Sequence, residues 1–248
     1  MHLNKEARAL IHVFGEGYFI TDEYDREVNT FVQEKEFGRL IKKLYLKKMK
    51  NILYLFLALA SYGMSAQTTA EEYYNSAASK FYLNDIKGAI VDFNKAIKID
   101  PNNVEAYRKR GLAKESLKDF PGAIVDYTKA IEIDSNYAPA YRDRGISKDK
   151  LEDFSGAIAD YTKAIEIESS YAMAFHDRGI TKGKLKDFSG AIVDYNKAIK
   201  IDPNYATAYF NRGLSRFYLG DMTGACRDAR KAQELGDNAL ILIKMACN

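Results

Sequence analysis

The chain has 248 residues, of which 47% are hydrophobic, and its 37 basic and 34 acidic side chains give a formal net charge of +3. Residues 1–69 hold 10 of the basic and 8 of the acidic side chains, so the rest of the chain is close to neutral. A neutral region lacks the basic face that neutralises nucleic-acid phosphates, and we therefore expect no nucleic-acid partner. A length in this range ordinarily corresponds to one or two domains.

An apolar stretch in the first third of the chain has the pattern of a secretory signal peptide. Basic residues at 47–50 precede the largely apolar run at 52–64, and small residues follow it. The pattern predicts a signal peptide over 49–66, cleaved near Ala66. The apolar run is shorter than the ~20 residues that a membrane span needs. We therefore expect export to the periplasm or the extracellular space.

The segment 1–48 has mixed charge, no motif and weak helical character near 28–48, and its status is doubtful. Signal peptides lie at the start of a chain, so one interpretation is that translation starts at Met49 and that 1–48 is an upstream artefact. The alternative is a genuine cytoplasmic segment before an uncleaved anchor, in which case 49–66 is the only expected membrane contact. Peptides from 1–46 in the native protein would exclude the first interpretation.

Five glycines recur at intervals of 34 residues over the rest of the chain, each followed by Ala and each four positions before an Asp. They are Gly88, Gly122, Gly156, Gly190 and Gly224. A fixed period in this range indicates one structural unit that is copied and stacked. The five predicted units are 70–103, 104–137, 138–171, 172–205 and 206–239.

Each unit has two runs of apolar residues at helical spacing. In the second unit the later run follows i, i+3, i+4 spacing from Ala123, and Pro121 stands in the turn before it. Asp-Pro pairs at 100–101 and 202–203 end the second helix of their units, because Pro disfavours a helical residue before it. The pattern predicts a helix, a tight turn and a second helix in every unit.

Two sets of glycines indicate close packing between helices. One set lies inside the first helices, where Gly costs about 1 kcal/mol against Ala, so we expect a neighbouring helix to approach there. This set is Gly111, Gly145, Gly179 and Gly213. The glycines of the period itself are expected to be thin spots at the start of the second helices, beside the alanines where helices pack.

The units resemble the tetratricopeptide repeat family over residues 70–239. Position 4 of each unit is aromatic, position 8 is Gly or Ala, position 20 is Ala, and position 24 is aromatic except at Ala229. The resemblance implies an all-α fold, a right-handed α-solenoid of helix-turn-helix repeats with 239–248 as a C-terminal capping helix. Ser135 and Ser169 replace the family's Pro, which should weaken those helix ends.

The resemblance also implies a concave groove lined by positions 2, 5, 6, 9, 12 and 13 of the first helices. The candidate groove residues are Tyr74, Phe81, Arg108, Lys109, Leu112, Arg142, Asp143, Ile146, His176, Asp177, Phe210, Asn211 and Phe217. Their aromatic ends and charged middle fit an extended or helical peptide with apolar ends. Alternatively, Tyr82 and Phe217 simply cover neighbouring helices. Position 9 is apolar throughout, so the carboxylate grip of chaperone-binding relatives is not expected.

Charged residues also follow the period. Arg stands at position 7 in Arg110, Arg144, Arg178 and Arg212, and Asp stands at position 23 in Asp92, Asp126, Asp160, Asp194 and Asp228. We predict a ladder of Arg–Asp pairs, within units or between neighbours, because Arg suits partly buried bidentate pairing. Binding of an anion by these arginines is the alternative.

Cys226 and Cys247 are the two cysteines of the chain. Export favours a disulfide that holds the capping helix, whereas two small buried side chains are the alternative. His176 is the only histidine in the repeats, and no catalytic triad, metal cluster or phosphate-binding loop is visible. We therefore expect a non-enzymatic scaffold without metal or cofactor that binds a protein or peptide. A structural adaptor in a cell-envelope assembly, acting through its outer face or ends, is the alternative, and the oligomeric state is open.

Overall fold

The computed structural model describes residues 11–14, 17–21, 27–33 and 69–247. The chain divides into two compact units, Met1–Ser65 and Ala66–Asn248. The predicted signal peptide lies outside the described residues, so it stays a prediction.

The N-terminal compact unit, Met1–Ser65, contains a small antiparallel sheet. Its strands are β1 (Ile11–Phe14), β2 (Gly17–Thr21) and β3 (Glu27–Gln33), in the order β1-β2-β3. The register between β2 and β3 shifts between Tyr18 and Ile20. The expectation of helical character near 28–48 is wrong for the part in β3, whose β-branched and aromatic residues favour a strand.

The C-terminal compact unit, Ala66–Asn248, is helical over its described residues and contains the repeats. Its helices are α1 (69–82), α2 (Ile86–Ile99), α3 (Val104–Ser116), α4 (Phe120–Ile133), α5 (Ala138–Lys150), α6 (Phe154–Ile167), α7 (Ala172–Lys184), α8 (Phe188–Ile201), α9 (Ala206–Tyr218), α10 (Met222–Glu234) and α11 (Leu240–Ala246). From α2 to α10, successive second helices of the repeats begin 34 residues apart, and so do successive first helices. The period therefore corresponds to a pair of helices. Second helices end at the same position before Ser as before Pro, so the expected weakening at Ser135 and Ser169 does not shorten them.

An aspartate caps the N-terminus of every second helix. In α4, the Asp119 carboxylate accepts a hydrogen bond of 3.0 Å from the backbone N–H of Gly122, and a Cβ on Gly122 would overlap that carboxylate. The other caps are Asp85, Asp153, Asp187 and Asp221. The glycines of the period thus leave room for a capping side chain, which corrects the expectation that their space serves contacts between helices.

The mid-helix glycines face aromatic rings. A Cβ on Gly145 would lie 2.7 Å from Cε1 of Tyr161, which projects from the second helix of the same unit. In the last unit Ala229 replaces the tyrosine, and Leu242 of α11 approaches Gly213 instead. The close approach that the sequence predicts is therefore made mainly by side-chain rings, and these rings are the largest members of the buried core.

The inner side of the solenoid is formed by the first helices. Helices α3, α5, α7 and α9 contact one another from unit to unit, whereas α4, α6, α8 and α10 make no such contact among themselves. Helices on the inside of a curved array lie closer together than those on the outside. The first helices therefore line the concave face.

The C-terminal end is closed by α11, which is shorter than the predicted capping segment. Its buried residues Leu242 and Ala246 pack against alanines of α10. A disulfide joins Cys226 of α10 to Cys247, whose Cα atoms lie 5.0 Å apart. The cap is thus held both by apolar contacts and by a covalent bond.

Candidate partner-binding face

The arginines at position 7 lie between the two helices of each unit. In the second unit Arg110 donates from Nε and Nη2 to both carboxylate oxygens of Asp126, at 2.9 and 2.5 Å. The remaining nitrogen, Nη1, donates to Asn94 in the preceding unit at 2.6 Å. Arg144, Arg178 and Arg212 make equivalent bonds, with a threonine hydroxyl in place of the asparagine for the first two. Each arginine therefore links the helices within its unit and also joins two units.

Each of these aspartates has a second cation. Lys114 lies 2.8 Å from Asp126, and the equivalent cation lies at 2.8 Å in the three later units. The guanidinium of Arg110 also lies over the ring of Tyr107, at 5.3 Å from the centroid. Because all three guanidinium nitrogens are engaged, these arginines offer little to an external anion.

Asp92 differs from the other aspartates of the ladder because its unit has Ser76 where the others have Arg. It accepts hydrogen bonds from Lys80 at 2.6 Å, Ser76 at 2.8 Å and Lys95 at 3.2 Å. These bonds, that of Lys80 first, lower the pKa of Asp92 to about 2. Lysine and serine thus replace the arginine at this end of the ladder.

The charged groove residues pair with one another across units. Arg108 donates from Nε to Asp143 of the next unit at 2.7 Å, and Arg142 donates to Asp177 at 2.6 Å. In both pairs position 5 of one unit meets position 6 of the next. Each of these arginines is therefore tied to an aspartate of the next unit, and the two carboxylates pair within the protein.

Burial shifts the titration of two carboxyls on this face. Asp143 is 2% exposed, and burial raises its pKa above the usual value, against the opposing effect of Arg108. Burial likewise raises the pKa of Glu115, which accepts a hydrogen bond from Ser147 of the next unit. Both carboxyls belong to contacts between units.

His176, predicted as a groove contact, is only 7% exposed. Its Nε2 lies 3.0 Å from the Asn211 side-chain nitrogen, and its ring lies 4.8 Å from that of Tyr205. Nδ1 lies 3.4 Å from Asp177. The residue is therefore mainly part of the joint between the fourth and fifth units.

The aromatic residues at the two ends of the predicted groove also pack internally. Phe210 and Phe217 contact the buried cluster beneath α11, and Tyr74 and Phe81 contact the core of the first unit. Positions 5 and 12 are thus aromatic in the first and last repeats, where apolar neighbours cover them. Phe217 covers a neighbouring helix, as the alternative interpretation expected. Tyr82 does not fit that alternative, because it is 92% exposed.

Two remaining predictions lie nearer the N-terminal end of this face. Lys109 is half-buried and lies 3.6 Å from Glu105 of its own helix. Leu112 is also half-buried. Neither residue lines the two concavities of the third to fifth repeats that are described next.

Two adjoining concavities remain open on the concave face. The first, of about 180 Å³, lies between α5 and α7 and includes Ile146 and Asp177. The second, of about 260 Å³, lies between α7 and α9 and includes Asn211 and Leu214. Both are lined by Ile180, and they form one open stretch over the third to fifth units, which we call the α5–α9 groove.

The sequence did not identify several residues of this groove. Lys150 and Lys184 border it at position 13, and Phe188 enters it from the start of α8. Phe188 stacks on Tyr218 with centroids 4.8 Å apart. The lysines could have been predicted, because position 13 is among the positions that line the groove in this family. Phe188 could not, because those positions all lie in first helices and Phe188 begins a second helix.

The described residues contain no cluster of His, Cys, Asp and Glu suited to a metal ion. Within the same ranges, no helix has the length and apolar character required to cross a bilayer.

The model of a TPR repeat matches residues 79–118 and 184–220. The crystal structure of MamA is similar with 30% sequence identity and a TM-score of 0.59, over 64% of this chain and 93% of that one. The chain belongs to the tetratricopeptide repeat family. Proteins of this family are scaffolds that typically mediate protein interactions. No curated protein sequence gives a significant match.

Two further solved structures resemble this tetratricopeptide repeat protein at lower identity. YrrB, described as a TPR protein with an unusual peptide-binding site, is 19% identical with a TM-score of 0.59, over 75% of this chain and 95% of that one. PilF of Pseudomonas aeruginosa is 17% identical with a TM-score of 0.67, over 74% of this chain and 85% of that one. At these identities the likeness concerns the fold alone.

Proposed function

We propose that the protein is a non-enzymatic, exported scaffold that binds a peptide segment of another protein in the α5–α9 groove. The observation that carries the proposal is the open apolar floor formed by Ile146, Ile180 and Leu214. Elsewhere on the concave face, Arg108 and Arg142 pair internally. An extended segment can place side chains in such a groove while its backbone bonds to polar groups at the rim.

Two further observations support this function. The peptide-binding site named for YrrB belongs to a protein of similar fold. In this chain the polar groups of Asn211 and Ser215 border the apolar floor. An apolar surface with a few fixed polar groups is typical of ligand-binding sites.

The proposal of export rests on the disulfide and on the pattern at 49–66. Disulfides persist in oxidising compartments and are rare in reducing ones. We expect the native protein to begin near residue 67 and to contain no free thiol. Mass spectrometry of the intact protein, with and without thiol alkylation after denaturation, would contradict export if it found both cysteines alkylated. Residues 1–46 still attached would instead favour the uncleaved anchor.

Affinity capture with matched variants tests the groove. Ile180→Glu places a charge on the groove floor, so it should abolish capture of the partner from the cell that produces the protein. Val193→Glu is the control, because Val193 is 58% exposed on the second helix α8. Both variants should keep a cooperative thermal transition. Equal capture by the two variants would contradict binding in the groove.

A specific observation supports the structural adaptor as the second candidate. Helix α11 exposes Leu240, Ile241 and Met245, and Ile241 is 75% exposed. An apolar row on a terminal helix favours a contact at the end of the solenoid. Under this alternative, Ile241→Glu would abolish capture while Ile180→Glu would not.

A further inference from the structure

Gly183 is an exception among the helical glycines of this protein. A Cβ built on Gly183 meets no atom within 4 Å, whereas one on Gly179 would lie 2.7 Å from the ring of Tyr195. Gly183 lies within α7, next to its last residue. Gly is among the least favourable residues in a helix. Packing therefore gives no reason for a glycine at this position.

The other units show what the position ordinarily holds. Its equivalents are Phe81, Glu115, Asp149 and Phe217, whose side chains contact the next unit or, for Phe217, the cluster beneath α11. Phe81 and Phe217 join apolar clusters, and Asp149 accepts a hydrogen bond of 2.8 Å from Thr181. The fourth unit alone leaves this space empty of its own side chain.

The missing side chain opens the concavity of about 260 Å³ between α7 and α9, which we call the α7–α9 bay. Ile180 and Leu214 form its apolar floor. Phe188 and Tyr218 form one wall, with their rings nearly parallel at 15°. Tyr218 is 59% exposed, so much of this aromatic surface is uncovered.

We propose that the α7–α9 bay takes one large apolar side chain, aromatic or leucine, from an extended peptide segment of the partner. This inference rests on the proposed function and names the residue type that it selects. The bay is smaller than the ~300–1,000 Å³ of sites for whole small molecules, and flat aromatic walls favour stacking with a ring. Asn211 borders the same space, and its side-chain oxygen, opposite the nitrogen that meets His176, can accept a hydrogen bond from a peptide backbone N–H.

The adjoining concavity argues for a chain that continues beyond the bay. It is contiguous with the bay through Ile180 and Lys184. Lys150 borders it and makes no ion pair among the described residues. A peptide anchored in the bay could therefore extend toward α5, which an isolated small molecule would not do.

Filling the bay with the chain's own side chain tests the proposal. The probe is a displayed library of random peptides selected on the full chain, followed by affinity measurements with one selected peptide. We expect selected peptides to share one large apolar residue. Gly183→Phe introduces the residue found at positions 81 and 217, and it should lower the affinity roughly tenfold or more by occupying the bay. Gly183→Ala is the matched control and should retain most of the affinity.

Stability distinguishes this outcome from misfolding. Because the Cβ meets open space and Gly disfavours a helix, Gly183→Ala should raise the melting temperature by about 2–4 °C. Tyr218→Ala supplies a second variant that removes an exposed wall, and it should also weaken the selected peptide. Its control is Tyr82→Ala, at the equivalent position of the first unit and 92% exposed, which should bind normally.

The proposal for the bay would be overturned if the selected peptides shared no large apolar residue. It would also be overturned if Gly183→Phe and Tyr218→Ala both bound the selected peptide with unchanged affinity. If those peptides still compete with the captured partner, the groove function stands and only the residue type is wrong. If wild type selects no peptide and Ile180→Glu captures the partner normally, both proposals fail.

Discussion

At the residue scale, the aspartates at position 23 carry much of the internal electrostatics. The side chain of Asp126 is 1% exposed and meets both Arg110 and Lys114. The period alone predicted the arginine pairs, because Arg and Asp recur together. It did not predict the capping role of Asp119, since the sequence shows only that an Asp lies three residues before the glycine.

Removal of one such aspartate should be costly. Asp126→Ala removes the carboxylate that two half-buried cations, Arg110 and Lys114, share, and we expect a loss of about 3 kcal/mol in the free energy of unfolding. Lys129→Ala, which removes an exposed pair with Glu132, should leave the free energy of unfolding nearly unchanged. Denaturant unfolding measures both. Similar losses for the two variants would contradict the structural role of Asp126.

Acid stability should reveal the lowered pKa of Asp92. Its usual value is 3.8 and its folded value is about 2, because Lys80, Ser76 and Lys95 stabilise the carboxylate. A lowered folded pKa contributes stability that is complete above 3.8 and is lost as the pH falls toward 2. The stability difference between wild type and Asp92→Asn should therefore shrink over that interval, as measured by denaturant midpoints. A difference that stays constant or widens would contradict the assignment.

At the element scale, the turn between the two helices of each unit contains a residue with positive φ. It is Lys118 with φ of 62° in the second unit, and Glu152 and Lys186 have nearly the same angle. The fifth unit has Gly220 with φ of 83° at the equivalent position. Apolar periodicity predicted the helices on either side, but it contains no information about this backbone angle.

Glycine should improve the turns that lack it. Lys118→Gly relieves a left-handed conformation that costs other residues ~1–2 kcal/mol, and we expect a net gain of up to about 1 kcal/mol after the added flexibility of the unfolded chain. Gly220→Ala should lose about 1 kcal/mol for the opposite reason. Thermal unfolding of both variants measures the effect. A lower melting temperature for Lys118→Gly would show that strain at this turn is small.

At the scale of the whole molecule, the sequence predicted the number and register of the helix pairs but misjudged part of the concave face. Arg108 and Arg142 looked available because their partners, Asp143 and Asp177, lie in the following unit. Contacts between copies depend on how the copies stack, which the pattern within a unit does not determine. The pattern within a unit likewise gave no reason to single out Gly183, because only the surrounding structure distinguishes it from the packed glycines of the first helices.

The disulfide should hold the C-terminal cap of the solenoid. It closes a separation of 21 residues, for which the chain-entropy model gives about 3 kcal/mol. A reducing agent should therefore lower the melting temperature of wild type. It should leave the double variant Cys226→Ser, Cys247→Ser unchanged. An equal effect of the reductant on both proteins would contradict a structural role for the bond.

Site-specific photo-crosslinking tests the central claim, binding in the α5–α9 groove, most directly. A crosslinking residue at position 180 or 214 of the full chain should give a covalent partner adduct in the producing cell. The same residue at position 193, exposed on α8, should give none. Adducts at 193 or 241 without any at 180 and 214 would contradict the account and place the partner on the outer face or at the C-terminal end.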